Sequence, residues 1–392
     1  MWSRCASLLR SICKAMRKEW LIKSGLILGV LLWPAGLFLH GAENPARAEL
    51  AHDTTAKYLA GLVVPAVPVD ESASENPWLM HSVELDRAWK HTQDQQLSAI
   101  AAWAPTSMGN AYQQSGPMFY MFSGPDFLYA HALFPNARTY ILCGNEPVGA
   151  IPDLSMMSPE ALPPALANIR KSLESVLSWS FFITKEMKTD LARTQLNGTL
   201  PLLYVFLART GCTIESVTPV TIDRDGNLSE GETGQTPGVR IAFAGSSGSP
   251  QTLYYFCTDL ADDGIKATPG LLRFCEEQGR GVSLLKAASY LMHENGFSRV
   301  RQFLLERSDL IVQDDSGIPL RFFERQKWEM RYCGQYVGPI EVFKQYGQSD
   351  LADEYVHNIP VPLPFGFGYQ WQPNRSDMMI AMRVEIRSES TR

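Results

Sequence analysis

The chain has 392 residues, of which 45% are hydrophobic and 10% aromatic, and this composition suits a folded protein with a sizeable core. The length fits one large domain or two ordinary domains and excludes a minimal domain. Without residues 1–48, the chain holds 28 Lys+Arg against 39 Asp+Glu, a formal charge of −11. Such an acidic body repels phosphate backbones, so we expect no nucleic-acid partner.

The amino-terminal residues have the organisation of an export signal. A basic region precedes the apolar stretch at residues 25–39, and Ala46 and Ala48 form the small-residue pattern of a cleavage point. The apolar stretch is shorter than the ~20 residues of a spanning helix, and Pro34 interrupts it. We therefore predict a signal peptide over residues 1–48 and an exported protein, either periplasmic or secreted. The alternative is an uncleaved anchor, in which residues 25–39 hold the protein at the inner membrane.

The next part of the chain predicts a linker followed by one main domain. Residues 49–76 are rich in Pro, Ser and acidic side chains, which is typical of an extended linker. Residues 77–392 are interpreted as a single α/β domain that begins with a helical arm over residues 78–104. After this arm, "PMFYMFSG" predicts a buried strand, "PDFLYAHALF" a helix and "RTYILCG" a second strand, which together outline a βαβ unit.

Helices and strands intermix through the rest of the chain. A helix is predicted from Ser158, with more helix to about residue 193, and "LPLLYVFLART" continues the helical pattern. The runs "CTIESVTPVTID", "GVRIAFAG" and "QTLYYFCTD" are strand-like, and "SSGSP" between the last two indicates a hairpin. Two helices, "GLLRFCEEQ" and "FSRVRQFLLERS", precede the strands "DLIVQ" and "MMIAMRVEI". The fold class predicted is mixed α/β, with a βαβ-containing layered core, an additional hairpin and an N-terminal helical arm.

The turn "FSGPDFLYA" at residues 122–130 joins the first strand to its helix and admits two interpretations. The outline is similar to that of S-adenosylmethionine-dependent methyltransferases, with Ser123 and Gly124 as the glycine turn and Glu146 as the acidic residue after the second strand. A single glycine is weak support for a nucleotide site, and export would separate the protein from that cofactor, so no cofactor is expected. The alternative is a structural corner with Gly124 as the helix N-cap, Pro125 in the first helical position and Asp126 facing the helix dipole.

Four carboxylates are candidate catalytic groups: Asp126, Glu146, Asp314 and Asp315. The adjacent pair in "VQDDSGIP" could act as acid and base, or bind a metal with a third oxygen ligand. Neighbouring residues on an extended chain face opposite sides, however, and "DSG" is also ordinary turn chemistry. No metal site is predicted, because neither the cysteine spacing nor the acidic "DRDGN" segment matches a metal motif. The five cysteines after residue 48 would allow one or two disulfides and leave at least one free thiol.

The segment "FGFGYQW" at residues 365–371 alternates glycine with aromatic side chains. This pattern predicts a half-buried strand whose rings face the core and whose glycines lie where another chain approaches closely. The alternative is a surface on which a ligand stacks. The candidate ligand-binding residues of the chain are Ser123, Gly124, Tyr369 and Trp371.

The phrases "FSGPDFLYA", "LFPNA", "LARTG", "SYLMH" and "VQDDSGIPLRFF" together resemble an uncharacterised group of exported bacterial proteins over roughly residues 110–380. This resemblance implies one evolutionary unit and bacterial export, and it implies no activity. The leading functional hypothesis is a non-catalytic envelope protein that binds a small molecule or another envelope component. The alternatives are a hydrolase that uses carboxylates and a degenerate methyltransferase-like fold without its cofactor.

Overall fold

The computed structural model describes residues 45–64, 76–182 and 196–384. The strands are β1 (Pro117–Tyr120), β2 (Thr139–Gly144), β3 (Thr213–Ile222), β4 (Leu228–Glu230), β5 (Thr236–Ala244), β6 (Pro250–Cys257), β7 (Gly281–Leu285), β8 (Ser308–Gln313), β9 (Trp328–Gly334) and β10 (Asp377–Arg383). The α-helices are α1 (Pro45–Leu59), α2 (Pro77–Thr92), α3 (Ser98–Met108), α4 (Phe127–Leu133), α5 (Leu162–Trp179), α6 (Leu200–Arg209), α7 (Asp262–Ala267), α8 (Gly270–Glu277), α9 (Ser298–Arg307) and α10 (Ser349–His357).

All ten strands form one sheet in the order β4-β3-β5-β6-β2-β1-β7-β8-β10-β9. The five central strands β6, β2, β1, β7 and β8 are parallel to one another, and every other strand pair in the sheet is antiparallel. The predicted hairpin is β5–β6, whose register runs from Gly238 opposite Phe256 to Ala244 opposite Pro250. The chain therefore has a mixed α/β fold, as predicted.

Both faces of the sheet are buried, and this explains why the sequences of the central strands are continuous apolar runs. In β2, Tyr140 and Leu142 face one core, whereas Ile141 and Cys143 face the other. Helices α1 to α6 cover the first face and helices α7 to α10 cover the second. A parallel sheet covered on both faces needs apolar side chains at every strand position, because neither face meets water.

The structure differs from the expected linker at residues 49–64. Residues 49–59 belong to α1, which packs on α6 and β3, and Ala56 and Leu59 are fully buried there. The backbone just after α1 is held by Arg209, whose Nε donates to the Ala60 carbonyl at 2.7 Å. The composition of the later Pro- and Ser-rich residues suggested a linker, but the apolar positions of α1 have helical spacing and find a core to cover. Residues 65–75 lie outside the described residues.

The helical arm at residues 78–104 is confirmed as α2 and α3, and Asn76 caps α2 by accepting the Trp78 amide at 2.9 Å. Helix α5 ends at Trp179, because Ser180 adopts a left-handed conformation with φ +67°. The predicted continuation to residue 193 is therefore wrong at residues 180–182, and residues 183–195 lie outside the described part of the chain.

The five cysteines after residue 48 are all free thiols, and four of them are buried, so the disulfides allowed by the sequence are absent among these residues. In residues 45–64, 76–182 and 196–384, no helix combines the length and apolar character needed to cross a bilayer.

Candidate functional site

The carboxyl ends of the five parallel strands meet at one end of the sheet, which we call its carboxyl end. Numbered along the chain, these strands stand in the order third, second, first, fourth and fifth, so the winding reverses between β1 and β7. In doubly wound sheets of this order, ligands lie in the crevice outside the carboxyl ends at the point of reversal. The loop after β1 carries Ser123, Gly124 and Asp126, and Lys286 follows β7, so these residues surround that crevice.

The glycine turn uses its own backbone donors to close onto β2. The amides of Ser123 and Gly124 both donate to the Cys143 carbonyl, at 2.9 and 3.2 Å. The Ser123 hydroxyl donates to the Gly124 carbonyl at 2.8 Å and accepts the Cys143 amide at 3.1 Å. These amides, which could otherwise bind a phosphate, already donate to a carbonyl of the protein. This favours the interpretation of the turn as a structural corner over that of a nucleotide site.

The N-cap of α4 is Asp126 rather than Gly124, and the helix begins at Phe127. The Asp126 carboxylate accepts the Tyr129 amide at 3.2 Å, which satisfies one of the free donors of the first turn. Pro125 therefore precedes the cap and is not the first helical residue. The predicted corner is correct in kind and shifted by two residues, because the left-handed Gly124 at φ +52° turns the chain before the helix can start.

The centre of the crevice is an ion pair between Lys286 and Asp126, with 2.8 Å between Nζ and Oδ2 and side-chain exposures of only 1% and 3%. The Asp126 Oδ2 also accepts the Tyr120 hydroxyl at 2.9 Å. The Lys286 ammonium lies 3.8 Å from the centre of the Tyr129 ring and donates to the Ser180 carbonyl. Burial lowers the pKa of Lys286, and the nearby Asp126 charge opposes that shift.

Beside this pair lie three more buried carboxylates, on Asp314, Asp315 and Asp377. Asp314 accepts the Ala287 amide at 3.0 Å and both the amide and the hydroxyl of Ser316, so it closes the turn after β8. Burial, partly offset by these hydrogen bonds, raises its pKa. We call Asp126, Lys286, Asp314, Asp315 and Asp377 the carboxyl-end cluster.

Asp315 and Asp377 are the least compensated members of the carboxyl-end cluster. Asp315 accepts the Tyr290 hydroxyl at 2.8 Å. Burial, and then the charge of Asp314, raise the pKa of Asp315 to about 8. Burial also raises the pKa of Asp377 well above its usual range, with Asp315 and Asp314 adding to the shift. Carboxyl groups of this kind hold a proton at a pH at which exposed aspartates are ionised.

An aromatic layer covers the carboxyl-end cluster. Its buried rings are Phe181, Tyr290, Phe343 and Tyr369, and Trp371 packs against them. The Tyr290 and Tyr369 rings are stacked with centroids 6.2 Å apart. The Tyr369 hydroxyl donates to the Ala287 carbonyl at 3.0 Å. Tyr369 and Trp371, predicted as ligand contacts, thus serve in this structure to cover the cluster.

The segment at residues 365–371 is not the strand that its alternating pattern predicted, since its only strand pairing is a single bridge between Phe367 and Gln370. The predicted burial of its aromatic side chains is correct, because Phe365 and Phe367 are fully buried. The glycines also lie at close approaches, as predicted. A Cβ on Gly368 would be 1.8 Å from the Asp314 Oδ2. Residues 365–369 are all buried, so the period of two in the sequence does not correspond to alternate burial along this irregular loop.

Gly368→Ala is expected to destabilise the protein more than Gly338→Ala. Both glycines have positive φ, +66° and +79°, so both variants carry similar backbone strain, but nothing lies within 4 Å of a Cβ on Gly338. The clash with Asp314 should add about 1–3 kcal/mol of destabilisation at Gly368. Urea denaturation measures the difference, and equal losses would mean that Asp314 is free to move aside.

Glu146 contacts different residues from the other three catalytic candidates. The Tyr255 hydroxyl donates to the Glu146 carbonyl at 2.8 Å and lies 3.5 Å from its carboxylate. The Glu146 Oε2 is 3.6 Å from the place where a Cβ on Gly124 would stand, so its side chain covers the glycine turn from the β2 side. The structure therefore brings Asp126 and Asp314 close to Lys286, with Asp315 beside Asp314, and places Glu146 beside Gly124.

The sequence analysis missed Lys286, Tyr290 and Asp377. Lys286 directly follows the buried strand β7 just as Asp314 directly follows β8, so its position after a fully apolar run was a usable signal. Asp377 had no such signal, because it stands at the start of an antiparallel strand, β10. Among the residues that the structure describes, no group of three His, Cys, Asp or Glu is arranged to hold a metal ion.

Comparisons of the chain with protein-family models, with curated proteins and with solved structures found no match.

Proposed function

We propose that the protein is a non-catalytic, exported binding protein whose fold has closed the crevice in which doubly wound sheets hold their ligands. The observation that carries this proposal is the buried ion pair of Lys286 and Asp126 at the reversal point, with exposures of 1% and 3%. The turn amides are used by Cys143, and the aromatic layer lies above the pair. The basic leader and its apolar stretch support export.

A ligand for such a protein requires another cavity. A cavity of about 900 Å³ lies at the opposite end of the sheet, where β7 and β8 begin, and its size falls in the range of about 300–1,000 Å³ that small-molecule sites occupy. The presence of a ligand-sized cavity away from the closed crevice supports binding as the function.

A carboxylate-dependent hydrolase is the second candidate, and one observation favours it. Asp126 and Asp314 lie close to Lys286, Asp315 adjoins Asp314, and the pKa of Asp315 is raised to about 8. Perturbed carboxylates of this kind are common in active sites, because a general acid must keep its proton near neutral pH. The same carboxylates also cap α4 and close the turn after β8, as purely structural groups do.

Turnover of chromogenic acetate esters, phosphate esters and glycosides by the full chain separates the two candidates. We expect no rate above that of buffer for either the wild type or Asp315→Asn. Hydrolysis by the wild type that Asp315→Asn abolishes would establish the carboxylate enzyme and overturn the proposal.

The closed crevice is tested separately with adenosine cofactors. We expect neither NAD nor S-adenosylmethionine to change the melting temperature, whereas a ligand at 100 times its Kd would add about 2.7 kcal/mol to the stability. A cofactor-dependent rise that Gly124→Ala removes would show that the crevice opens, and would contradict the proposal.

A further inference from the structure

A cavity at the amino end of the sheet, opposite the carboxyl-end cluster, carries a concentration of positive charge. We call it the amino-end groove. It lies where β7, β8 and β9 begin and β10 ends, under the carboxyl-terminal end of α3. Four cationic side chains line it and only one acidic side chain, that of Asp309, does so; the cations are Arg280, Lys327, Arg331 and Arg383. The groove is therefore positively charged although the protein as a whole is acidic. A concave surface lined by positive charges raises the local concentration of anions.

Two of these cations lack a carboxylate partner. Among the described residues, Arg331 and Arg383 form no ion pair, whereas Arg280 pairs with Asp309 at 2.7 Å and Lys327 with Glu324 at 2.8 Å. Arg331 donates to the Ser107 carbonyl. This contact is to a neutral carbonyl, which does not neutralise the charge of Arg331.

The Arg383 guanidinium is held in place at the other side of the groove. It lies 4.6 Å from the centre of the Trp328 ring, and its Nε donates to the Ser308 carbonyl at 3.0 Å. Burial, and then the positive charge of Arg280, lower the pKa of Arg383, and the carboxylates of Asp309, Glu306 and Glu324 partly oppose that shift. A guanidinium matches the geometry of carboxylate and phosphate oxygens, so an anion in the groove could bind at Arg383.

Part of the remaining groove wall is apolar, and Thr106, Asn110 and Gln114 make the rest of it polar. Met108, Leu310 and Met382 line the apolar part beside the cations. Methionine side chains adapt to irregular apolar ligands, because they are unbranched and polarizable. A wall with guanidinium groups on one part and thioether and aliphatic groups on another fits a molecule that has one anionic head and an apolar body.

Following from the binding function proposed above, we propose that the amino-end groove binds an amphiphilic anion, with its phosphate or carboxylate head at Arg331 and Arg383 and its apolar chain against Met108, Leu310 and Met382. A free amphiphile and a lipid headgroup in a bilayer share this head chemistry. The groove is concave, so a free monomer is the form that reaches it.

Calorimetric titration of the full chain with decyl phosphate, below the concentration at which it forms micelles, tests the proposal. Decyl phosphate is expected to bind at one site, and to bind more weakly as salt screens the head group. Inorganic phosphate and decyl maltoside should each bind at least tenfold more weakly, since each lacks one half of the ligand. Equal binding of either compound would overturn the proposal.

Variants locate the site. Arg331→Gln is expected to weaken decyl phosphate binding by about tenfold or more, because a hydrogen bond to a charged group is lost. Lys327→Gln, at a more exposed position, should weaken it less. Lys344→Gln is the matched control, since Lys344 and Lys327 each pair with a glutamate three residues earlier at 2.8 Å. Loss of binding in the control as large as in Lys327→Gln would overturn the assignment, because net charge alone would then explain it.

Two further experiments test whether a lipid bilayer or the end of the chain occupies the amino-end groove instead. Vesicles of phosphatidylglycerol are expected to bind no better than vesicles of phosphatidylcholine, and binding to anionic vesicles without binding of decyl phosphate would overturn the proposal. Binding that appears only after deletion of residues 385–392 would also overturn it, since the end of the chain would then be the occupant. If decyl phosphate does not bind and the wild type hydrolyses no substrate, only the assignment of the groove is refuted. If the wild type hydrolyses a substrate and Asp315→Asn does not, the proposed function is refuted.

Discussion

Asp126→Asn is expected to lower the free energy of unfolding by about 3–5 kcal/mol, because it leaves the Lys286 ammonium buried without its partner. The substitution keeps the shape of the side chain and the acceptor for the Tyr129 amide. The loss therefore comes from the charge and from the Oδ2 acceptor that Lys286 and the Tyr120 hydroxyl share, and it greatly exceeds the about 0.3–1 kcal/mol of a helix-dipole interaction alone. Urea denaturation of the wild type and the variant measures it.

A double-mutant cycle separates the ion pair from other effects of the substitution. Lys286→Met alone should also destabilise, whereas Asp126→Asn/Lys286→Met should lose less than the sum of the two single variants, since no unpaired charge remains. Asp153→Asn is the control, because Asp153 accepts the Ser155 amide at 2.9 Å on the surface and the loss there should be small. If Asp126→Asn instead stabilised the protein, Asp126 would be held under electrostatic strain, as residues of functional sites often are.

The stability of the wild type is expected to fall as the pH rises from 7 to 8, and Asp315→Asn is expected to reduce this fall. The folded protein holds the Asp315 proton up to a pKa of about 8, whereas the unfolded chain releases it near the ordinary aspartate value of about 3.9. Between these values the folded state binds more protons, so each rise in pH favours the unfolded state. One such group contributes up to about 1.4 kcal/mol per pH unit, and its contribution is lost as the pH passes through the folded pKa.

The interval from pH 7 to 8 avoids the buried histidines. Burial lowers the pKa of His81, His131 and His293 to about 4, so their contribution to stability is present above pH 6.5 and is lost as the pH falls towards 4. Their effect has the opposite sign and lies in a lower range of pH. Below pH 6.5 the two effects would partly cancel.

Asp315→Asn imitates the protonated carboxyl, because the amide oxygen still accepts the Tyr290 hydroxyl. At pH 9 the variant should be more stable than the wild type by at least about 1 kcal/mol, since the wild type must ionise a buried group beside Asp314. Asp263→Asn is the control, because the Asp263 side chain is 88% exposed and its slope with pH should equal that of the wild type. Identical slopes for wild type and Asp315→Asn would show that Asp315 is ionised throughout the range.

The carboxyl-end cluster could be predicted in part from the sequence. Asp314 and Asp315 were candidates because they are adjacent carboxylates at the end of a predicted strand, and in the structure the ends of parallel strands meet there. Lys286 follows an equally apolar run, so the same rule would have found it. Asp377 could not be found in this way, because its place beside Asp315 depends on an antiparallel strand inserted between β8 and β9.

The helix α1 shows a different limit. Its buried face includes Ala56 and Leu59, but whether such a helix packs on the domain or forms a separate arm depends on an exposed apolar surface elsewhere. That surface is provided by α6 and β3, which lie far along the chain. Local composition alone therefore suggested a linker.

The sequence by itself determined the local structure: the α/β class, the β5–β6 hairpin, the turn at Gly124 and the burial of Phe365 and Phe367. These features depend on backbone preference and on the period of apolar residues, which are properties of neighbouring positions. Only the tertiary structure decided that Lys286 meets Asp126, that Tyr369 covers the pair, and that the charge of Arg331 faces a cavity. Such contacts depend on the order of strands in the sheet, which is selected by the packing of the whole core. That order produces no periodic pattern in the amino-acid sequence.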